Sequence, residues 1–230
     1  MKYVAVSGGA DSTALALLMH ERGEEFEMVF ADTGAELPEV YWLLPRLVRL
    51  VDKPLHIVCN GTFYQHLTNQ GFFLPNPRAR WCTRVLKAVP QERFFAEGSE
   101  VAVGIRADEA HRNAGAAGKG GIILRPLVEA GMGRKDCHQL CEKHGLLNPV
   151  YEWRTRVNCF CCFFQNRRDW WGLLHNHPSL YALAEEWENQ SLRVSGFGWH
   201  EKFTLAKLRE QGFLPGFEEP DEEPCSICSW

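Results

Sequence analysis

Tyr3-Val4-Ala5-Val6-Ser7-Gly8-Gly9-Ala10-Asp11-Ser12-Thr13 decides the reading of this chain. Tyr3 to Val6 is a short apolar run, the pattern of a buried strand. Ser7 to Asp11 reads as a turn, and Ser12 to Arg22 places Ala and Leu at helical spacing until Gly23 ends the helix. Two glycines let the backbone turn tightly and approach a ligand closely. The helix that follows offers free N–H groups and the positive end of its dipole. Strand, Gly-Gly turn and helix together form a pocket for phosphate or pyrophosphate, to which the Ser and Thr hydroxyls add hydrogen bonds. Ser12 also reads as a plain helix cap. No Gly-Lys-Ser/Thr follows at the spacing of a Walker A loop.

Outward from this stretch the chain alternates strand and helix. Phe26 to Ala31 reads as a second strand, Asp32-Thr33-Gly34 as a turn and Leu37 to Val51 as a helix. Pro54 to Val58 is a third strand, a further helix ends at Phe94 to Ala96, and Val101 to Ile105 is a fourth strand. Such alternation predicts an α/β fold with a doubly wound, mainly parallel sheet. Ile122 to Leu127 reads as a short strand, Arg134 to His144 as a helix, and Arg168 to Asn189 as mostly helical with a break at Pro178. The predicted organisation is a nucleotide-binding domain over residues 1–165 that includes cluster-binding cysteines, a helical extension over 166–215, and an acidic tail over 216–230. Residues 113–121, rich in Gly and Ala, read as a mobile loop without the spacing of a glycine fingerprint.

Composition bounds the function. The chain has 230 residues, 45% hydrophobic and 23% charged, which is ordinary for a globular domain. No apolar run reaches the ~18 residues of a membrane helix, and only seven residues precede the first glycine, too few for a signal-peptide core. A cytoplasmic protein without a membrane partner is expected. The net charge of −4 excludes a globally basic nucleic-acid binder. From Arg78 to Arg168, however, sixteen Lys and Arg face nine Asp and Glu, while the rest of the chain holds nine against twenty. A basic middle in an acidic protein points to an anionic ligand.

Nine cysteines are many for a reducing compartment and point to metal or catalysis rather than disulfides. Cys159-Phe160-Cys161-Cys162 contains a Cys-x-x-Cys pair with Cys161 inside it, and Cys82 lies upstream in Trp81-Cys82-Thr83-Arg84. Thiolates suit iron–sulfur clusters and zinc. Cys137 and Cys141, four apart on one helix face, are assigned to the core. Trp170, Trp171, Trp187 and Trp199 stand among acidic residues and are assigned to a core or a protein interface. His175 and His177 read as surface or cap residues. Cys225 and Cys228 form a second Cys-x-x-Cys.

The Ser7–Ser12 loop resembles the PP-loop, Ser-Gly-Gly-x-Asp-Ser, of the ATP pyrophosphatase (adenine nucleotide alpha hydrolase) superfamily. Asp32-Thr33-Gly34 and Gly104-Ile105-Arg106-Ala107-Asp108-Glu109 are similar to segments of the phosphoadenosine phosphosulfate (PAPS) reductase family. So is the order Arg125-Pro126-Leu127, helix, Asn148-Pro149-Val150-Tyr151, Cys-x-x-Cys, and the resemblance runs from Met1 to Gln165. It implies ATP cleaved between the α and β phosphates with Mg²⁺, often to adenylate an acceptor. By the same resemblance Ser7, Gly8, Gly9, Asp11, Ser12 and Thr13 hold pyrophosphate, with Asp11 near magnesium. Asp32 and Thr33 flank adenosine, Gly104 lies in the cofactor site, and Arg106 stabilises the transferring phosphate. Cys82, Cys159, Cys161 and Cys162 become the ligand set of a [4Fe–4S] cluster, with Zn²⁺ as the alternative. Residue 81 is Trp where cluster-bearing reductases have a second cysteine, which leaves the fourth ligand open.

The leading expectation is an ATP-dependent adenylating or sulfur-transfer enzyme acting on tRNA, DNA or a small molecule, with a protein partner or a second copy of the chain as a further partner. The alternatives are a sulfonucleotide (PAPS/APS) reductase and a non-catalytic nucleotide- and metal-binding subunit of a modification complex. Asp11 weighs against the reductase, because sulfonucleotide-binding members generally depart from Ser-Gly-Gly-x-Asp-Ser.

Overall fold

The computed structural model describes residues 1–112 and 120–212. The glycine-rich segment read as a mobile loop falls almost wholly outside them, and Cys225, Cys228 and the acidic tail fall entirely outside. Five strands, β1 (Lys2–Val6), β2 (Glu27–Ala31), β3 (Leu55–Val58), β4 (Glu100–Ala102) and β5 (Ile122–Leu124), form one sheet in the order β3-β2-β1-β4-β5. Every pairing is parallel. The α/β expectation holds.

Side chains along a strand alternate between faces, and the core follows that period. Val4, Val6, Met28 and Phe30 enter the layer under α1 (Ala10–Glu21), α2 (Pro38–Val51) and later α7 (Arg134–Lys143). Tyr3, Ala5, Val29 and Val101 face the opposite layer with Phe95 and Val103. Helix α1 is buried on most sides, with Ala10, Ala14 and Ala16 allowing close approach and Leu15, Leu17 and Met19 filling the space beside them.

Two expected boundaries move. The strand read over Ile122 to Leu127 stops at Leu124, because Pro126 opens a helical turn, α6 (Pro126–Glu129); proline lacks the N–H a ladder needs and suits the first helical position. Between β3 and β4 lie α3 (Phe63–Asn69), which the sequence reading did not assign, then α4 (Trp81–Thr83), a π-helical stretch over Arg84–Ala88, and α5 (Val89–Phe94). Thr62 caps α3 through the Gln65 N–H, and the Gln65 side chain returns the bond to the Thr62 N–H.

The extension consists of α8 (Arg167–Asn176), α9 (Pro178–Ser195) and α10 (Leu205–Gln211), with the predicted break at Pro178. These helices share a second core with α3 and the cysteine segment, in which Trp170, Trp187 and Trp199 are buried. The extension is thereby packed onto the cysteine segment rather than standing apart. His177 stands at the N-cap position of α9 without a side-chain capping bond, its ring nitrogen instead 2.7 Å from Glu39 of α2. No helix among the described residues is long and apolar enough to cross a membrane.

Candidate active site

The loop after β1 is built as the sequence predicts. Gly8 has φ +76°, the left-handed region, and a Cβ there would meet Val40 Cγ1 at 2.9 Å. Gly9, at the N-cap, supplies no side-chain cap to α1. Ser12 is not the cap: it sits inside α1, and its hydroxyl accepts from the Ser7 N–H at 3.0 Å and donates to the Gly9 carbonyl at 3.1 Å. Thr13 Oγ1 is buried without a partner. Gly104 places the end of β4 against α1, since a Cβ would come within 3.0 Å of the Ser12 nitrogen and 3.1 Å of the Asp11 carbonyl carbon.

Two residues whose motif was visible but whose role was not hold this loop from behind. Asn148 Nδ2 donates to the Gly8 carbonyl at 3.0 Å, and the Tyr151 hydroxyl accepts from the Ala10 N–H at 2.9 Å. Asn148 is itself fixed by the Val150 N–H, which donates to its Oδ1. They reach the loop from 140 and 141 residues away.

Asp11 and Arg106 come together at the start of α1. Arg106 donates to Asp11 at 2.8 Å, to Asp108 at 3.0 Å and to Glu109 at 2.7 Å. Glu109 also binds Arg112. Three carboxylates around Arg106 make it a positioning group for Asp11 and leave acidic charge at the mouth of the loop, suited to a cation arriving with a polyphosphate. Burial pushes the Asp11 carboxyl up from its ordinary range, against the pull of Arg106.

Asp32 Oδ1 accepts from the Gly34 N–H at 2.9 Å and from the Tyr41 hydroxyl at 2.7 Å. Thr33 turns inward: it is buried, donates to Glu36 at 2.8 Å and lies 3.5 Å from Cys159 Sγ. The Cys159 thiol also lies 3.6 Å from Glu36. The segment expected to flank adenosine therefore touches the cysteine site directly.

Cys82, Cys159, Cys161 and Cys162 line one narrow cavity with Thr33 and Lys87. In the side-chain positions seen, no three Cys, His, Asp or Glu among the described residues are grouped to hold a metal ion. Four thiols at one cavity are enough in number for a thiolate-held group, with Lys87 and Arg154 as cations beside them. Arg154 is 3% exposed, its Nε and Nη1 are buried without hydrogen-bond partners, and Cys162, Cys159 and Cys161 lie within its electrostatic reach. A buried guanidinium left unsatisfied is costly; the Asp169 carboxylate is the leading countercharge beside it, ahead of the three cysteines. Of the basic residues near the cysteines, Lys87 lines the cavity, whereas Arg84 turns outward to Glu92. Burial pushes the Cys159 thiol up to about 12, so it is protonated at neutral pH until a metal displaces the proton. Cys137 and Cys141 are fully buried in the sheet core, as assigned.

A five-stranded parallel sheet flanked by helices, whose first strand feeds an uncapped helix through Ser-Gly-Gly, defines an α/β protein of the doubly wound class. The model of the phosphoadenosine phosphosulfate reductase domain matches residues 2–117, and the chain belongs to that family, within the adenine nucleotide alpha hydrolase superfamily. Among curated proteins it is similar to the uncharacterized protein MJ0973 of Methanocaldococcus jannaschii, 27% identical over 95 residues. That match covers 41% of this chain and 23% of the relative, so the chain spans under a quarter of the relative's length. Among solved structures it is similar to a phosphoadenylyl-sulfate (PAPS) reductase from Candida auris in a phosphate complex. The identity is 14%, the TM-score 0.49, and the match covers 66% of this chain and 76% of that one.

Proposed function

We propose that the protein binds an adenine nucleotide with Mg²⁺ on the Ser7–Thr13 loop and cleaves ATP between its α and β phosphates, adenylating an acceptor. An acceptor oxyanion attacks the α phosphorus, the bond to the bridging oxygen breaks, and pyrophosphate leaves with the metal. The observation that carries this reading is Asp11, an acidic residue in a Ser-Gly-Gly-x-Asp-Ser loop, held at the uncapped helix start by Arg106. The loop supplies N–H groups and the helix dipole to the polyphosphate. Asp11 shares the cation, and Arg106 fixes Asp11. Cys82, Cys159, Cys161 and Cys162 would hold an iron–sulfur cluster or zinc, which supplies redox or sulfur chemistry beside Thr33.

Family membership favours a second reading, reduction of a sulfonucleotide. One experiment separates them. Protein purified without oxygen is assayed for pyrophosphate release from ATP across tRNA, DNA and small acids, and in parallel for reduction of PAPS and adenosine phosphosulfate. Pyrophosphate release that depends on one acceptor supports adenylation. Sulfonucleotide reduction without pyrophosphate release overturns it.

A further inference from the structure

A second cavity, a cleft of 570 Å³, is lined by Asn148 and Tyr151, the two residues that also hold the phosphate loop. Its volume is that of a small-ligand site, ~300–1,000 Å³. Arg134, Arg154 and Arg168 line it, with His138 beside Tyr151 and Glu152 as the carboxylate in the lining. These residues come from α7, the segment before the cysteines, and α8, and one hub ties them together. The Thr155 carbonyl accepts from Arg134 at 2.9 Å, while the Thr155 N–H and hydroxyl donate to the buried Asp169 at 2.8 to 3.1 Å. Thr155 thus sets Arg154 on one side and Arg168, the neighbour of Asp169, on the other.

The cleft has the marks of a built anion site. Arg154 is almost wholly buried, and two of its nitrogens lack partners. Arg168 makes no ion pair among the described residues. The indole of Trp42, 45% exposed, stands at the lining with the Arg46 guanidinium 3.5 Å above its ring. The three arginines outnumber Glu152 in the lining and Asp169 behind it, and cations in excess repel one another unless an anion joins them. The cleft shares Asn148 and Tyr151 with the loop, so an anion bound there lies next to a nucleotide bound on the loop, and across Arg154 from the cysteines.

We infer that this cleft is a second substrate site, which takes a phosphate-bearing acceptor while the loop holds the nucleotide; the inference rests on the nucleotide-binding reading. Arginines recognise phosphate oxygens through forked, charge-assisted hydrogen bonds. A phosphate group reaches the cleft either on a free mononucleotide or within a nucleic-acid strand, and Trp42 offers a surface for the attached base in either case.

The test uses the full chain. Affinity for α,β-methylene-ATP with Mg²⁺ is measured first, and then, with that analogue saturating, binding of dTMP and of a 5′-phosphorylated ten-residue oligothymidylate is measured by calorimetry. At least one probe is expected to bind the analogue-filled protein. Arg168→Glu and Arg134→Ala are each expected to weaken that probe at least tenfold, while Arg168→Glu changes analogue affinity less than twofold. Arg168 is exposed in the first turn of α8, where a glutamate suits the helix dipole, so this variant keeps the fold. Similar affinity for both probes identifies a small phosphorylated acceptor. Much tighter, salt-dependent binding of the oligonucleotide identifies a nucleic acid. Failure of both probes on the filled protein overturns the inference. So does a parallel loss of analogue and probe in Arg168→Glu, which assigns the cleft to the polyphosphate of the loop nucleotide. Failure of the analogue itself to bind overturns the nucleotide reading instead; the probes are then titrated into the unfilled protein, and a loss in both variants keeps the cleft as an anion site.

Discussion

Arg106 donates to Asp11 across 95 residues of sequence, joining the end of the fourth strand to the loop after the first. The pair brings the charged residues of two separate motifs into one site, and it sets the protonation of the carboxylate on which the proposed chemistry rests.

Asp11→Asn is therefore expected to lower Mg²⁺-dependent pyrophosphate release at least a hundredfold while the thermal midpoint stays within a few degrees. Equal turnover in the variant at saturating magnesium sinks the assignment of the loop.

The pH dependence carries a sign. Burial raises the Asp11 pKa, and Arg106 opposes that rise. Nucleotide binding needs the carboxylate, so its acid limb lies above the ordinary aspartate value of about 3.9. For folding the linkage runs the other way: a raised pKa in the folded state favours the protonated form, so the contribution of Asp11 to stability falls as pH rises through that pKa. Arg106→Gln is expected to move the acid limb of Mg-nucleotide binding to higher pH, and Asp11→Asn to abolish it. A limb left in place by Arg106→Gln contradicts the pairing.

Tyr151→Phe removes the hydroxyl that accepts from the Ala10 N–H. The expected cost is about 1 kcal/mol in stability and a several-fold loss of nucleotide affinity, since the first turn of α1 loses its tether. Calorimetric unfolding and analogue titration read the two effects separately, and an unchanged affinity removes Tyr151 from the loop's support.

Anaerobically purified protein is expected to contain iron and to lose most of it in Cys82→Ser and in Cys159→Ser. In metal-free protein, iodoacetamide is expected to modify exposed Cys59 well before Cys159, whose burial keeps it a thiol. Stoichiometric zinc in colourless protein replaces the cluster by a zinc site. Absence of both metals from protein prepared without oxygen refutes the thiolate assignment.

Glu188 is 1% exposed and accepts from the Trp199 N–H at 3.0 Å and the Leu205 N–H at 2.6 Å. Glu188→Gln turns one acceptor into a donor facing an N–H group. A loss of about 1–3 kcal/mol is expected, read as a lower urea midpoint without a change in slope. A midpoint equal to that of the parent contradicts the role of Glu188 in the second core.

Features that repeat locally were legible before folding. The short apolar runs in Tyr3–Val6 and Phe26–Ala31 specify strands buried on both faces, and Ser7-Gly8-Gly9 before an Ala/Leu helix reads as a phosphate loop. Helix periodicity and the break at Pro178 were legible for the same reason, because backbone geometry and side-chain period are properties of neighbouring residues. Tertiary structure decided the rest. That Asn148 and Tyr151 brace the loop, that Thr33 turns to Cys159 rather than outward, and that Arg106 is ringed by carboxylates depend on contacts across 95 to 141 residues. Arg154 reads in the sequence as one of several basic residues near the cysteines, and only the folded chain buries its charge beside Asp169 and three of them. Partner choice for a charged side chain follows from which groups share its low-dielectric surroundings, and only the folded chain sets those surroundings.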